Sequence, residues 1–292
     1  MTLDRLAPTL FVLLWSTGWI AAKYAALSAD PLTFLVMRYA LAGLLLAGFS
    51  LLVRAEWPRG RTGGHALVSG ILLHGLYLGP VWWAIGAGVP AALAGIIAGL
   101  QPLMTAAVAP WFLGERISPL QRLGLVIGLA GIAVAVAPKL AGGAGLLASG
   151  GWPIVVNIAG MASVTLGTLY QKRYLQQGDI RAIAPLQYAG ALLVTLPAAV
   201  LIEPMRVTWG LPLLGALAWS VFGLSIGAIA LLLYLIRRGQ VSKAASLIYL
   251  VPPLAALEAA VAFGEPLTVA MIAGTLLCVA GVYLANRRRA GG

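Results

Sequence analysis

Charge is what this 292-residue chain has least of. Only 9% of its residues are Asp, Glu, Lys or Arg and 61% are hydrophobic, where a water-soluble domain carries about 25% charged residues. So little polar material cannot clothe a soluble domain of this length, so most of the chain must face lipid. Cysteine is nearly missing too. The single Cys278 stands inside an apolar run, which excludes a disulfide within the chain and a cysteine-based metal centre. No zinc-protease pattern and no phosphate-binding loop are found, so ATP is not an evident energy source. No cofactor is implied.

What is present in excess is long apolar runs. A membrane-crossing helix needs about 20 mainly apolar residues. Ten such runs can be drawn, roughly at 6–26, 31–53, 66–88, 90–112, 119–137, 151–171, 182–202, 211–236, 244–263 and 266–285. The first lacks the charged start and short apolar stretch of a signal peptide and reads as a retained span. Gly88-Val89-Pro90 and Gly264-Glu265-Pro266 leave room only for tight helical hairpins.

The net charge of +11 raises nucleic acid as a partner, and the placement of the charges argues against it. Lys and Arg gather in cytoplasmic loops. With the N-terminus inside and ten crossings, fifteen of the nineteen basic residues fall in six inside segments, from Arg5 to the Arg287–Arg289 run. Lys23, Lys139 and Arg206 fall outside, and Arg38 alone lies within a span. That alternation is a topology signal, with both termini cytoplasmic, and it leaves no concentrated patch for nucleic acid. The basic C-terminal run could also touch anionic lipid.

The chain repeats itself. Residues 93–135 laid on 243–285 without a gap match at eleven of 43 positions, among them Pro102/Pro252, Gly114/Gly264, Glu115/Glu265, Gly124/Gly274 and Gly131/Gly281. A five-span unit is odd-numbered, so its second copy enters the membrane from the opposite side. The expected fold is therefore an all-α polytopic membrane protein with ten transmembrane helices in two inverted five-helix repeats, residues 1–142 and 143–292. Inverted repeats are typical of secondary transporters. Pro102 and Pro252 fall mid-span and free the carbonyls of Ala98 and Ile248. Freed carbonyls in lipid must find protein or a water-lined cavity, so both prolines are hinge candidates beside a binding site.

The stretches LLWSTGWIAAKYA, DPLTFLVMRYALAGLLL, LQPLMTAAVAPWFLGERIS and GLVIGLAGIAVA resemble the EamA-type domain of the drug/metabolite transporter superfamily, present as two tandem copies. The matching positions are Trp15, Lys23, Pro31, Arg38, Pro102, Gly114 and Glu115, then Pro252, Gly264 and Glu265. The second copy departs at its start, with Ser163 in the place of Trp15. The resemblance implies ten helices, cytoplasmic termini and export of amino acids or other small metabolites across the inner membrane of a bacterium.

Candidate binding residues follow from polar groups at membrane depth, which are expensive there. Glu258 lies mid-span, six residues past Pro252, and suits a substrate ammonium or a coupling proton. His74 and Tyr77 share a face at i and i+3. Gln101 adjoins the first break and Tyr249 the second. Asn157, Met161 and Thr165, with Thr168, make one side of span six unusually polar, and Ser163 lies nearby. Trp15, Trp19 and Lys23 share a face better suited to packing. Arg38 either snorkels to headgroups or pairs with Asp30 or Glu265. Trp82 and Trp83 read as an interfacial aromatic belt. The G-x-S-x-G pattern at Gly223–Gly227 lacks its strand-turn-helix setting and reads as close helix packing, as do Gly124 and Gly128.

The expected activity is secondary transport of a small solute, with proton exchange or facilitated diffusion as the driving process. A passive pore and an intramembrane enzyme built on His74, Ser225 or Glu258 are the alternatives. Nothing in the sequence assembles a nucleophile with a base, and nothing in it fixes an oligomeric state.

Overall fold

A computed structural model describes residues 2–113, 118–142, 151–176, 178–237 and 250–286. Among these residues ten helical segments follow one another: α1 (Thr2–Ala26), α2 (Pro31–Leu52), α3 (Arg61–Gly86), α4 (Ala91–Ile97 and Leu100–Leu113), α5 (Pro119–Gly142), α6 (Trp152–Tyr174), α7 (Ile180–Ile202), α8 (Leu211–Ala218 continuing to Arg237), α9 (Val251–Phe263) and α10 (Val269–Asn286). Seven are long and apolar enough to cross a membrane, and α8, α9 and α10 contribute shorter apolar helices. Among the described residues the one β-type contact is an isolated bridge from Ala29 to Val207. The boundaries expected from hydropathy hold to a few residues. The third span starts earlier, at Arg61, and the last starts at Val269 after a five-residue connection.

Packing follows the repeat. Exchanging α1 with α6, α2 with α7, α3 with α8, α4 with α9 and α5 with α10 maps most helix contacts onto one another. The pairs α2–α7, α4–α9 and α5–α10 map onto themselves. The pair α1–α8 becomes α6–α3, α1–α9 becomes α6–α4, and α2–α8 becomes α7–α3. This is the contact map of two units related by a two-fold axis. The exchange fails at several places: α1–α2, α1–α4 and α2–α3 have no comparable counterpart in α6–α7, α6–α9 and α7–α8 among the described residues, and one further failure bears on the cavity. The second half of α3 packs on α1, and no comparable packing joins α6 to α8 among the described residues.

Small residues make the central pairs possible, because lipid supplies no hydrophobic drive for helices to associate and close van der Waals contact must do so. Gly124 and Gly131 of α5 meet Gly281 and Gly274 of α10 backbone to backbone. A Cβ on Gly131 would stand 2.6 Å from the Gly274 carbonyl, and one on Gly281 would stand 2.6 Å from the Gly124 carbonyl. Where α4 crosses α9, a Cβ on Gly99 would lie 2.5 Å from Cys278 Sγ and 3.7 Å from Pro252 Cγ. The two helix breaks therefore touch.

The breaks differ from a simple proline kink. In α4 the helix stops at Ile97 and restarts at Leu100, so Pro102 sits in the first turn of the second piece, where a missing N–H costs little. The Ala98 carbonyl accepts from Gln101 N at 3.1 Å, a tightened turn that satisfies it within the protein. Pro252 likewise occupies the first turn of α9. Ile248 lies outside the described residues.

Carboxylates cap helices across the repeat boundary. Glu203, after α7, accepts from the Leu32 and Thr33 amides at 2.8 and 2.9 Å at the start of α2. Glu265, after α9, accepts from Ala91 and Ala92 at 3.1 and 2.9 Å at the start of α4 and also pairs with Lys23. Both place negative charge on the positive end of a helix dipole. At the opposite end Asp179 caps α7, accepting from Arg181 N at 3.0 Å and pairing with the Arg181 guanidinium at 2.7 Å. That hydrogen bonding holds its carboxyl below the usual range. A depressed carboxyl stabilises above its unfolded pKa and loses that contribution as pH falls through the folded one. Asp179→Ala should therefore cost about 0.5–2 kcal/mol near neutral pH. The gap between wild type and variant should narrow as pH falls below the carboxylate range, read by thermal melts in detergent across pH.

Candidate functional site

A cavity of about 340 Å³ lies between the two repeats, lined by α1, α2, α3, α4, α6, α7 and α8. Its wall includes a device that hydropathy cannot reveal. The third helix of each repeat passes through a stretch of wide π-helical turns, Ile71–Gly75 in α3 and Trp219–Gly227 in α8. Such turns are rare and recur at functional sites. Here they fall at matching positions of the two copies and bring Leu73 and His74 from one and Leu224 and Ser225 from the other to the cavity.

Of the residues expected from sequence, His74, Tyr77 and Gln101 line this cavity, as does Thr168. His74 stacks on Tyr188 of α7, with ring centroids 4.8 Å apart. Tyr39 reaches past it, donating to the His74 carbonyl at 3.0 Å. The other candidate residues of α6, Asn157, Met161, Ser163 and Thr165, are not in the wall. Thr165 donates to the Met161 carbonyl at 2.8 Å, and Ser163 donates to the Leu72 carbonyl at 2.9 Å. Met161 is fully buried. Asn157 is also fully buried, and its amide has no hydrogen-bond partner among the described residues. These side chains join α6 to its neighbours instead of facing the cavity. Tyr249 lies outside the described residues, as do Gly114 and Glu115.

Glu258 departs from expectation. It stands where α9 packs on α1, accepting from Ser16 Oγ at 2.6 Å, and is absent from the cavity wall. Its helix is apolar all round, with Leu257 and the strongly exposed Val261 beside it, so no polar stripe in the sequence marked which face looked inward.

Arg38 and the tryptophans depart in the other direction. Arg38 neither snorkels nor meets Asp30 or Glu265, because Asp30 pairs with Arg206 and Glu265 with Lys23. It is only 6% exposed and lines the cavity, with Nε 3.2 Å from Ser225 Oγ and its guanidinium 5.5 Å from the centre of the Trp82 ring. Trp82 is buried beneath it and is no interfacial belt residue. Trp15 and Trp19 also line the cavity. Sequence reasoning treated all four as packing or anchoring groups. The usable signal was that Arg38 is the one basic residue placed within a span.

Along the helices the cavity runs from Trp82 and Arg38 to Gln171 and Ile180, near the ends of α6 and α7. The opposite end is closed by Lys23, Glu265 and the start of α4.

The EamA-like transporter family matches residues 6–137 and again residues 151–287. The chain belongs to that family. Several of its relatives are transporters by name. A protein of Bacillus subtilis, "Uncharacterized transporter YvbV", is 28% identical over 95% of this chain and 89% of its own. The "Probable amino-acid metabolite efflux pump" of Salmonella typhimurium is 25% identical over 96% of this chain and 94% of its own. The "Probable terminal-alkyne amino-acid exporter" of Streptantibioticus cattleyicolor is 30% identical over 70% of this chain and 66% of its own. A solved crystal structure superposes with a TM-score of 0.64 at 22% identity, covering 97% of each chain, a match of fold. This EamA-like chain is thus a multi-pass membrane transporter, and its two family domains coincide with the two halves of the contact map.

Proposed function

We propose that this transporter exports small metabolites, with amino acids the best-fitting class, across the cytoplasmic membrane of a bacterium by alternating access. Both termini lie on the cytoplasmic side in this reading, so the Gln171 end of the cavity faces the cytoplasm and the Lys23 end faces out. The observation that carries it is the broken exchange between repeats. α1 packs on α3 near the Lys23 end, while among the described residues α6 and α8 lack the matching contact near the other end. A two-fold-related pair of units has two equivalent asymmetric states, and one asymmetric state is what an alternating transporter occupies at any moment. Amino acids are favoured by the names of two relatives and by a cavity near the lower end of the ~300–1,000 Å³ typical of small-molecule sites. His74, Tyr77, Gln101 and the break residues Pro102 and Pro252 are proposed to contact the solute or bend around it. Glu258 has one carboxyl oxygen on Ser16 and the other buried without a partner among the described residues, so it is the group we assign to a coupling proton, outside the solute site.

Uptake and efflux in proteoliposomes over a panel of amino acids tests transport. Labelling of a single cysteine at Gln101, on a Cys278→Ala background, tests the mechanism. Access should come from one side at a time and should change when solute is added. Equal access from both sides at once would make the protein a pore.

A further inference from the structure

We propose that Arg38 anchors the carboxylate of the transported solute, and that the cavity selects monocarboxylates with an apolar body whether or not they carry an amino group. This rests on reading the cavity as the transport site. Arg38 is 6% exposed, lines the cavity, and has no carboxylate within ion-pair distance among the described residues. A buried cation without a counter-charge is costly. The cost is offset when a planar anion enters, because guanidinium and carboxylate match in a two-pronged hydrogen bond. The cavity wall holds a second unpaired donor. Trp19 also lines the cavity, and its buried indole N–H has no partner among the described residues.

The rest of the wall supplies no anionic site. Among the described residues its lining contains no Asp or Glu, and two of its three amides, Gln171 and Gln187, are bonded to each other at 3.2 Å. A solute ammonium would meet no carboxylate, only the Gln101 amide, the Thr168 hydroxyl, the His74 ring and aromatic faces such as Trp15 and Tyr77, which attract a cation weakly. The same rings, with Phe11 and Leu224, favour an apolar body. The carboxylate is thus recognised by charge and the amino group is only tolerated.

The test uses the full chain in nanodiscs of neutral lipid, with tryptophan fluorescence reporting binding. The probes are matched sets: 3-phenylpropionate, phenylalanine and phenethylamine, and 4-methylpentanoate, leucine and 3-methylbutylamine. In at least one set the two carboxylates should bind within about tenfold of each other, and the amine at least about tenfold more weakly. Arg38→Met should lower carboxylate affinity roughly 10- to 100-fold, the size of a charge-assisted hydrogen bond. Its melting point without solute should be no lower than wild type, since an unpaired buried charge is removed. Arg38→Lys, which keeps the charge and loses the fork, should fall between. An amine binding as tightly as its acid, unchanged acid binding in both variants, inorganic phosphate competing as well as the carboxylates, or no binding by any of the six probes would each overturn the inference. The Gln101 cysteine labelling needs no chosen solute. A protein that alternates yet prefers the amine would overturn the Arg38 assignment and leave the transport reading intact.

Discussion

Gly281→Ala should lower the melting midpoint of the detergent-purified protein by roughly 2–10 °C, and Gly281→Leu should leave little folded protein to purify. A Cβ at Gly281 would run into the backbone of Gly128 and stand 2.6 Å from the Gly124 carbonyl. No flexible side chain is there to move aside, so one helix must back away from the other along the whole α5–α10 contact. Overpacking of this kind costs about 1–3 kcal/mol, and each kcal/mol moves the midpoint of a chain this size by about 2–4 °C. The repeat makes the prediction sharper. Gly131 is the counterpart of Gly281, and a Cβ there would stand 2.5 Å from Cys278 N and 2.6 Å from the Gly274 carbonyl. Gly131→Ala should therefore show a loss of similar size. Gly48, in α2, has nothing within 4 Å of its virtual Cβ, so Gly48→Ala should melt at or above wild type. Differential scanning fluorimetry on the four variants reads all of this. A Gly281→Ala protein that melts like wild type would mean the two helices are not held in contact.

The legible and illegible parts of this molecule divide along physical lines. Span number could be read because lipid demands about 20 apolar residues per crossing and tolerates few charges. The repeat could be read because proline, glycine and a capping glutamate serve backbone geometry, which both copies must keep. Gly264 shows this directly, closing α9 at φ 63°, a left-handed cap that glycine adopts without strain. Helix rotation could not be read. In a soluble helix the polar stripe points to water, but α9 is apolar on every side, so Glu258 alone gave no direction. The same gap misassigned Arg38, since two turns of α2, about 10 Å of rise, separate it from the helix end where snorkelling would place it. The π-helical turns of α3 and α8 have no sequence signature at all. In α3 they stand beside the close backbone contact with α7 at Gly70 and Gly190, and in both copies they carry a cavity-lining residue, His74 and Ser225.

The closed end of the cavity gives the last prediction. Glu265 does two jobs there. It ties α9 to α1 through Lys23, and it ties the end of α9 to the start of α4 through the Ala91 and Ala92 amides. Lys23 also lies over the Phe263 ring at 4.6 Å, and a cleft of about 180 Å³ flanks the pair. If the Lys23 end opens in the other transport state, α1, α4 and α9 must part and these bonds must break. They then favour the present state by the strength of hydrogen bonds to a charged group, about 1.5–3 kcal/mol each. Removing them can shift the two-state equilibrium by no more than that difference. Lys23→Met loses the ion pair and keeps the helix cap. Glu265→Gln loses the charge and keeps an acceptor for the amides. Glu265→Ala loses both functions. External labelling of a single cysteine at Tyr77 should rise in that order, by roughly 10- to 100-fold for Glu265→Ala. Labelling from the Gln171 end should fall in step. The population lost at one end must equal the population gained at the other if a single equilibrium is being moved, so the fall is the smaller fold-change. Labelling that rises at both ends together would show Glu265 to be a structural cap whose removal loosens the helix bundle, and the Lys23 end would then be no gate.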